Sequence, residues 1–217
     1  DAVMMSQCGV QNVVATSGTA LTVQQINLIK RYTRNVTVLY DGDSAGIKAT
    51  FKAVNLFLEQ GLNVRTVLFP DGEDPDSFAR SRTADEFKAF LSDNSRNFIL
   101  YKTDILVKQA GNDPIKRAEM IKDIVYTISL VPDLLERSTY LQQCSNLLQV
   151  DEVVLSNALK KQLRQNSFDK AKKEQSQEEN IETYLPTDQP VLPKQQIDSV
   201  VANPDYEQEK SIISILL

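Results

Sequence analysis

The chain has 217 residues, 41% hydrophobic and 24% charged, the composition of one or two ordinary folded domains. It contains no histidine, which excludes triads with a histidine base and leaves oxygen ligands for any metal, so magnesium, manganese or calcium rather than zinc. A net charge of −5 argues against the chain alone coating a polyanion.

No apolar run approaches the length of a membrane span and no basic, apolar leader opens the chain, so no membrane partner is expected and the cytoplasm is the default location. Cys8 and Cys144 are far apart and lack CxxC spacing. The chain starts at Asp1, without an initiator Met, directly in an amphipathic pattern, and is expected to be a fragment.

In chain order, residues 2 to 8 read as a helix closed by Gly9, and "NVVAT" (12 to 16) as a short buried strand. After the loop "SGT", Thr22 and Gln25 form a capping box that predicts a helix to about Arg34. "VTVLY" (36 to 40) is a second strand. Ile47, Phe51, Val54 and Phe57 or Leu58 then recur at helical spacing from Ser44 to Gln60, with Gly61 as the stop. "VRTVLF" (64 to 69) is a third strand. Strand, four-turn helix and strand make a βαβ unit with parallel strands and a right-handed crossover.

Helical periodicity follows over roughly 83 to 93, 97 to 110, 114 to 130, 133 to 148 and 151 to 165. The fold class is therefore α/β followed by an α-helical subdomain. Four segments are expected: an α/β part at 1 to 80, a helical subdomain at 81 to 165, a flexible linker at 166 to 203, and one last helix at 204 to 217 that opens a further domain. The linker rests on polar, Gln-, Lys- and Glu-rich composition with Pro186, Pro190 and Pro193. The last helix rests on Asn203 as cap, Pro204 at the first helical position, and the stripe Ile212, Ile213, Leu216 and Leu217.

The βαβ reading has a chemical consequence. "DGD" (41 to 43) follows one strand and "PDGEDPDSF" (70 to 78) follows its parallel neighbour, so both acidic segments leave the same carboxyl edge, where α/β sheets place their chemistry. Each segment alone has a structural reading: Asp43 or Ser44 caps a helix, Asp71-Gly72 makes a turn, and Asp74 caps a helix whose first residue is Pro75. Together, Asp71, Glu73, Asp74 and Asp76 face Asp41 and Asp43 across one edge, a repulsive arrangement unless solvated or cation-bound. A pair of magnesium ions would relieve it, and their natural chemistry is phosphoryl transfer. Capping and metal binding are compatible roles for one Asp.

"VVATSGTALT" (13 to 22), "YDGDSAGIKA" (40 to 49) and "FPDGEDPDSF" (69 to 78), in this order and at these separations, resemble the Toprim region of bacterial DnaG-type DNA primases. "DAVMMSQCGV" (1 to 10) is similar to the stretch that begins at the aspartate of that family's EGYxD motif. The motif resemblance covers residues 1 to about 78, making the first segment the C-terminal part of a Toprim domain; the helical parts match in pattern and order. Toprim topoisomerases frame their acidic pairs differently, and phage-type primase-helicases are expected to carry an ATPase P-loop that this sequence lacks. The rival readings are a piece of another Toprim enzyme, topoisomerase or nuclease, and a helical replication adaptor.

The resemblance implies magnesium- or manganese-dependent synthesis of short RNA primers on a single-stranded DNA template from ribonucleoside triphosphates. It implies Asp41 and Asp43 as catalytic metal ligands, Asp41 shared between two ions, with Asp74 and Asp76 as the second acidic pair at the metal or nucleotide site. Ser17, Gly18 and Thr19 would form a loop beside the site or a plain strand-to-helix turn. Zinc would belong only to an N-terminal domain outside this chain, and a DnaB-type replicative helicase would be engaged through the C-terminal region, starting with the helix at 204 to 217. The basic run "KKQLRQNSFDKAKK" (160 to 173) reads as a solvated helix end or a template contact. The catalytic glutamate of EGYxD would stand just before Asp1. The isolated chain is therefore expected to make no primers; template-dependent incorporation of labelled ribonucleotides by the chain alone would contradict this.

Overall fold

The computed structural model describes residues 2–16, 21–40, 44–70, 73–182 and 213–216, of which 40, 44–50, 173–182 and 213–216 are described in backbone only. The first helix, α1 (Ala2–Gln7), is followed by β1 (Val13–Ala15) and α2 (Val23–Lys30). The predicted capping box forms at α2: the Gln25 amide donates to the Thr22 hydroxyl at 3.3 Å, and the Thr22 amide donates to Gln25 Oε1 at 2.9 Å. This helix stops short of the expected Arg34. The Tyr32 and Thr33 amides turn back onto the Ile29 carbonyl, and the Thr33 hydroxyl takes the Asn35 amide at the start of the next strand.

The predicted βαβ unit is present. It comprises β2 (Asn35–Tyr40), α3 (Ser44–Glu59) and β3 (Asn63–Leu68), and its strands pair in parallel from Asn35 opposite Asn63 to Tyr40 opposite Leu68. Gly61 ends the crossover helix at φ 73°, a left-handed turn that suits glycine. Then come α4 (Pro75–Arg80), α5 (Ala84–Asn94) and the two-residue β4 (Arg96–Asn97), which pairs antiparallel with β3 and makes the sheet mixed. The helical part follows as α6 (Phe98–Ala110), α7 (Pro114–Leu130), α8 (Leu134–Leu148) and α9 (Glu152–Glu182). Among the described residues no helix is long and apolar enough to cross a membrane.

Two further expectations change. Helix α9 continues to Glu182, so 166–182 is helical where a linker was expected. Its Gln, Lys, Glu and Ala content suits a helix even without an apolar face to bury, and no proline occurs between Glu152 and Pro186. Residues 213–216 form not a helix but a strand, β5 (Ile213–Leu216), parallel to both neighbours in the sheet order β1-β5-β2-β3-β4. A β-branched run favours extended backbone, and a slot between two parallel strands satisfies its amides and carbonyls on both sides. Helical spacing of the apolar residues loses to that pairing. The remainder of 183–212 and Leu217 lies outside the described residues.

The sheet is covered on both faces. Val36, Val38 and Val64 belong to a core with Phe57, Phe98, Ile124 and Ile128 of the crossover and later helices. Leu39, Val67 and Phe69 belong to a second core with Met5, Phe78 and Phe87 of α1, α4 and α5. A strand with apolar residues on both faces reads as a continuous run, as "VTVLY" and "VRTVLF" do.

Inside the larger core, α6 and α7 are joined by a buried lysine. Lys102 is 2% exposed; its Nζ donates to Asp123 Oδ1 and to Thr127 Oγ1, both at 2.8 Å, and lies 5.1 Å from the centre of the Phe51 ring. Burial lowers its pKa against the raising effect of Asp123. The Asp123 side chain is 46% exposed, so the two partners are not equivalent. Asp123→Ala leaves an uncompensated buried ammonium and should destabilise by roughly 2 kcal/mol, whereas Lys102→Met, which leaves a hydrated carboxylate, should cost less. As pH rises towards 10.5, the ordinary lysine value, the amine neutralises in the folded state first, so Asp123→Ala should recover part of its loss. Urea unfolding at neutral and alkaline pH checks both outcomes.

Candidate functional site

Because Tyr40 lies opposite Leu68, the segments leaving β2 and β3 start side by side at one edge of the sheet. Asp41, Asp43 and Asp71, together with Ser17, Gly18 and Thr19, lie outside the described residues. The part of the edge that is described is the turn into α4.

That turn is built by sequence-local chemistry. Asp74 is the N-cap of α4: its Oδ1 accepts from the Ser77 amide at 2.6 Å, and the Asp74 amide donates to Ser77 Oγ at 3.0 Å, a reciprocal box followed by Pro75 in the first turn. Glu73 turns its amide back onto the Pro70 carbonyl at 3.0 Å. The amide bond from Ser77 is the main cause that holds the Asp74 carboxyl below its ordinary value of 3.8, partly opposed by burial. Asp74 is thus a carboxylate at neutral pH, with one oxygen committed to the helix.

One turn on, Asp76 Oδ2 pairs with Arg80 Nη2 at 2.8 Å, a contact between neighbours on one helix face. Arg80 was not singled out by the sequence reading; the i, i+4 spacing of an acid before an arginine was the available signal. The second core anchors the turn. Phe78 is 2% exposed and packs edge-on to Phe69 at 5.4 Å and close to Phe90 at 4.3 Å, while Cys8 Sγ donates to the Ala79 carbonyl at 3.7 Å. Helix α4 is therefore held against the end of β3 and against α1.

The structure brings Asp74 and Asp76 to the carboxyl edge and gives both a structural partner. Among the described residues no group of three or more metal-ligating side chains gathers. The acidic side chains described at this edge, Glu73, Asp74 and Asp76, offer oxygen donors, which suit a hard oxygen-seeking cation. Of the other sequence features, Cys8 and Cys144 are buried free thiols. Within the basic run, the described residues lie on α9, where Lys160, Lys161 and Lys170 are exposed.

The chain matches two family models: Toprim-like over residues 1–79, and DnaB-helicase binding domain of primase over residues 101–152. It is 32% identical over 159 residues to a DNA primase of Staphylococcus aureus, an alignment that takes in 73% of this chain and 26% of that protein. A DNA primase domain from Pseudomonas aeruginosa superposes with a TM-score of 0.63 at 25% identity, over 73% of this chain and 50% of that one. The Escherichia coli primase catalytic core superposes with a TM-score of 0.61 at 30% identity, over 69% of this chain and 49% of that one. The chain thus spans about a quarter of the length of the curated relatives it matches.

The capping role of Asp74 is separable from its charge. Asp74→Ala should destabilise the chain by about 1 kcal/mol, and Asp74→Asn, which keeps an accepting oxygen, by much less. A carboxyl whose folded pKa is depressed adds stability above its unfolded pKa and loses that contribution as pH falls through the lower folded value. The gap between wild type and Asp74→Asn should therefore close on acidification below the ordinary carboxylate range, measured by urea unfolding at a series of pH values.

Proposed function

The chain belongs to the bacterial DnaG-type primases, and we propose that it contributes the acidic edge of a polymerase that joins ribonucleotides into short primers on a single-stranded DNA template. The observation that carries this reading is the parallel register that sets Tyr40 beside Leu68, because it starts "DGD" and "PDGEDPDSF" at one sheet edge. Asp41 and Asp43 would hold magnesium or manganese, with Asp74 and Asp76 as the flanking acidic pair. When bound, a pair of such ions supplies charge stabilisation to the attacking and leaving oxygens of nucleotidyl transfer. The protein's own residues do the placing. Asp74 is fixed by its bond to Ser77 and keeps one oxygen outside that bond, and Asp76 can exchange Arg80 for a cation or leave Arg80 to meet a triphosphate.

Single-stranded DNA and ribonucleoside triphosphates are the partners this reading requires. A replicative helicase of the DnaB type is a further proposed partner, supported by the match of residues 101–152 to a helicase-binding description. That stretch covers most of α6, all of α7 and α8 and the start of α9, which shifts the proposed contact towards the helical bundle from the terminal segment expected earlier. The organisation into a Toprim part and a helical part is proposed on the same grounds.

The test uses the intact enzyme. Asp41→Ala and Asp43→Ala should each lower magnesium-dependent primer synthesis by roughly a thousandfold, the rate equivalent of the several kcal/mol a clamping cation provides. Asp74→Asn should keep the fold and raise the magnesium concentration needed for half-maximal rate. Unchanged synthesis by Asp41→Ala would overturn the assignment.

A further inference from the structure

The amino-terminal edge of the same sheet, opposite the acidic one, carries two adjoining cavities. One, of about 470 Å³, lies between α5 and the loop from α1 to β1, and its wall includes Lys88, Arg65, Asn12, Thr37 and Ser92 with no carboxylate. The other, of about 740 Å³, lies between the starts of β2 and β3 and helix α8, and includes Asn35, Asn63, Arg65, Tyr140 and Gln143. Arg65 lines both, so the two cavities meet at its side chain. Glu136 is the single carboxylate among the residues lining either cavity. In a chain of net charge −5, the lining of the two together, the amino-edge groove, carries two cations against one acid, the opposite balance to the chain as a whole.

The cations are placed, not scattered. Arg65 donates from Nε to Ser95 Oγ at 2.7 Å and from Nη2 to the Ser95 carbonyl, which fixes the guanidinium plane and leaves Nη1 to the groove. Gly9, at φ 78°, makes room for Lys88: a Cβ there would stand 2.7 Å from the Lys88 ammonium. Neither cation has a carboxylate partner among the described residues. Asn63 Nδ2 donates to Asn35 Oδ1 at 3.0 Å, which leaves Asn35 Nδ2 as an amide donor and Asn63 Oδ1 as an amide acceptor, the complement of a nucleobase edge. Nearby, Asn97 Nδ2 donates to the Tyr140 hydroxyl at 2.9 Å.

We propose that this amino-edge groove binds a single-stranded polynucleotide, with backbone phosphates on Lys88 and Arg65 and a base edge on the Asn35 and Asn63 amides. Cations that meet phosphate next to groups that meet bases are what a strand without a complement needs. The proposal rests on the primase reading for its choice of polyanion. It adds a strand contact on the sheet edge away from the acidic residues, so one strand would touch both edges or two strands one each.

The test is photocross-linking of oligothymidylate carrying thiothymidine to the 217-residue chain, with adducts mapped by mass spectrometry and the ribonucleotide analogue in a parallel arm. Adducts are expected on α5 and on the start of α8. Lys88→Glu, at an exposed position, and Arg65→Gln should each reduce them several-fold, with the slope of log affinity against log salt falling by about 0.7 per lost phosphate contact. Lys122→Glu, exposed on α7, should leave them unchanged. Preference for the deoxy or the ribo strand assigns the groove to template or to product. Absence of adducts, or adducts on α9 that Lys88→Glu does not change, overturns the proposal. Asp41→Ala tests the other edge: loss of the groove adducts in Lys88→Glu with primer synthesis indifferent to Asp41→Ala would keep the groove and remove the primase reading.

Discussion

The parallel pairing of β2 with β3 is the constraint on which the other features depend. Two parallel strands can be joined only by a crossover, here α3, and once their register runs from Asn35 opposite Asn63 to Tyr40 opposite Leu68, everything before the strands collects at one edge and everything after them at the other. The two strands therefore end side by side, Tyr40 opposite Leu68, although some thirty residues separate them. The asparagines that begin each strand become neighbours too, and bond to each other. One ladder of backbone hydrogen bonds thus creates an acidic edge and an amide-and-cation edge in the same small sheet.

Burial on both faces keeps that ladder rigid. Alternate residues of β2 and β3 enter two separate cores, so a slip of register by one residue would exchange the partners of both. The smaller core is aromatic: Phe78 packs on Phe69, Phe87 and Phe90, and this clamps the six-residue α4, too short to persist alone. The position of Asp74 and Asp76 is therefore a product of ring packing beneath them as much as of their own caps. In the larger core, Lys102 reaches from α6 to Asp123 and Thr127 of α7, a polar tie whose worth depends on all its partners being present.

Most elements were legible because their signals are local. The box of Thr22 and Gln25, the Asp74 cap with Pro75, and the two-sided apolar runs of β2 and β3 depend on neighbours within a few residues, and each formed where it was read. Misreadings occurred where distant partners decide. Helix α2 ended early because the chain had to turn into β2. Helix α9 ran on because nothing in its sequence stops a solvated helix before Pro186. "ISIL" became β5 because a slot between β1 and β2 satisfies extended backbone on both sides, and helical spacing of its apolar residues carries no knowledge of that slot.

By itself the sequence determined the chemistry available to this chain: no imidazole, a surplus of carboxylates, and acids placed just after two strands of a βαβ unit, in strings that resemble one family. It also determined the local caps, since an N-cap oxygen needs only an amide three residues ahead. Only the tertiary structure decided which groups meet: Lys102 with Asp123, Arg65 with Ser95, and the asparagine pair at the far edge. Those encounters depend on strand register and on packing between residues distant along the chain, quantities set by the whole fold and encoded in no short stretch of it.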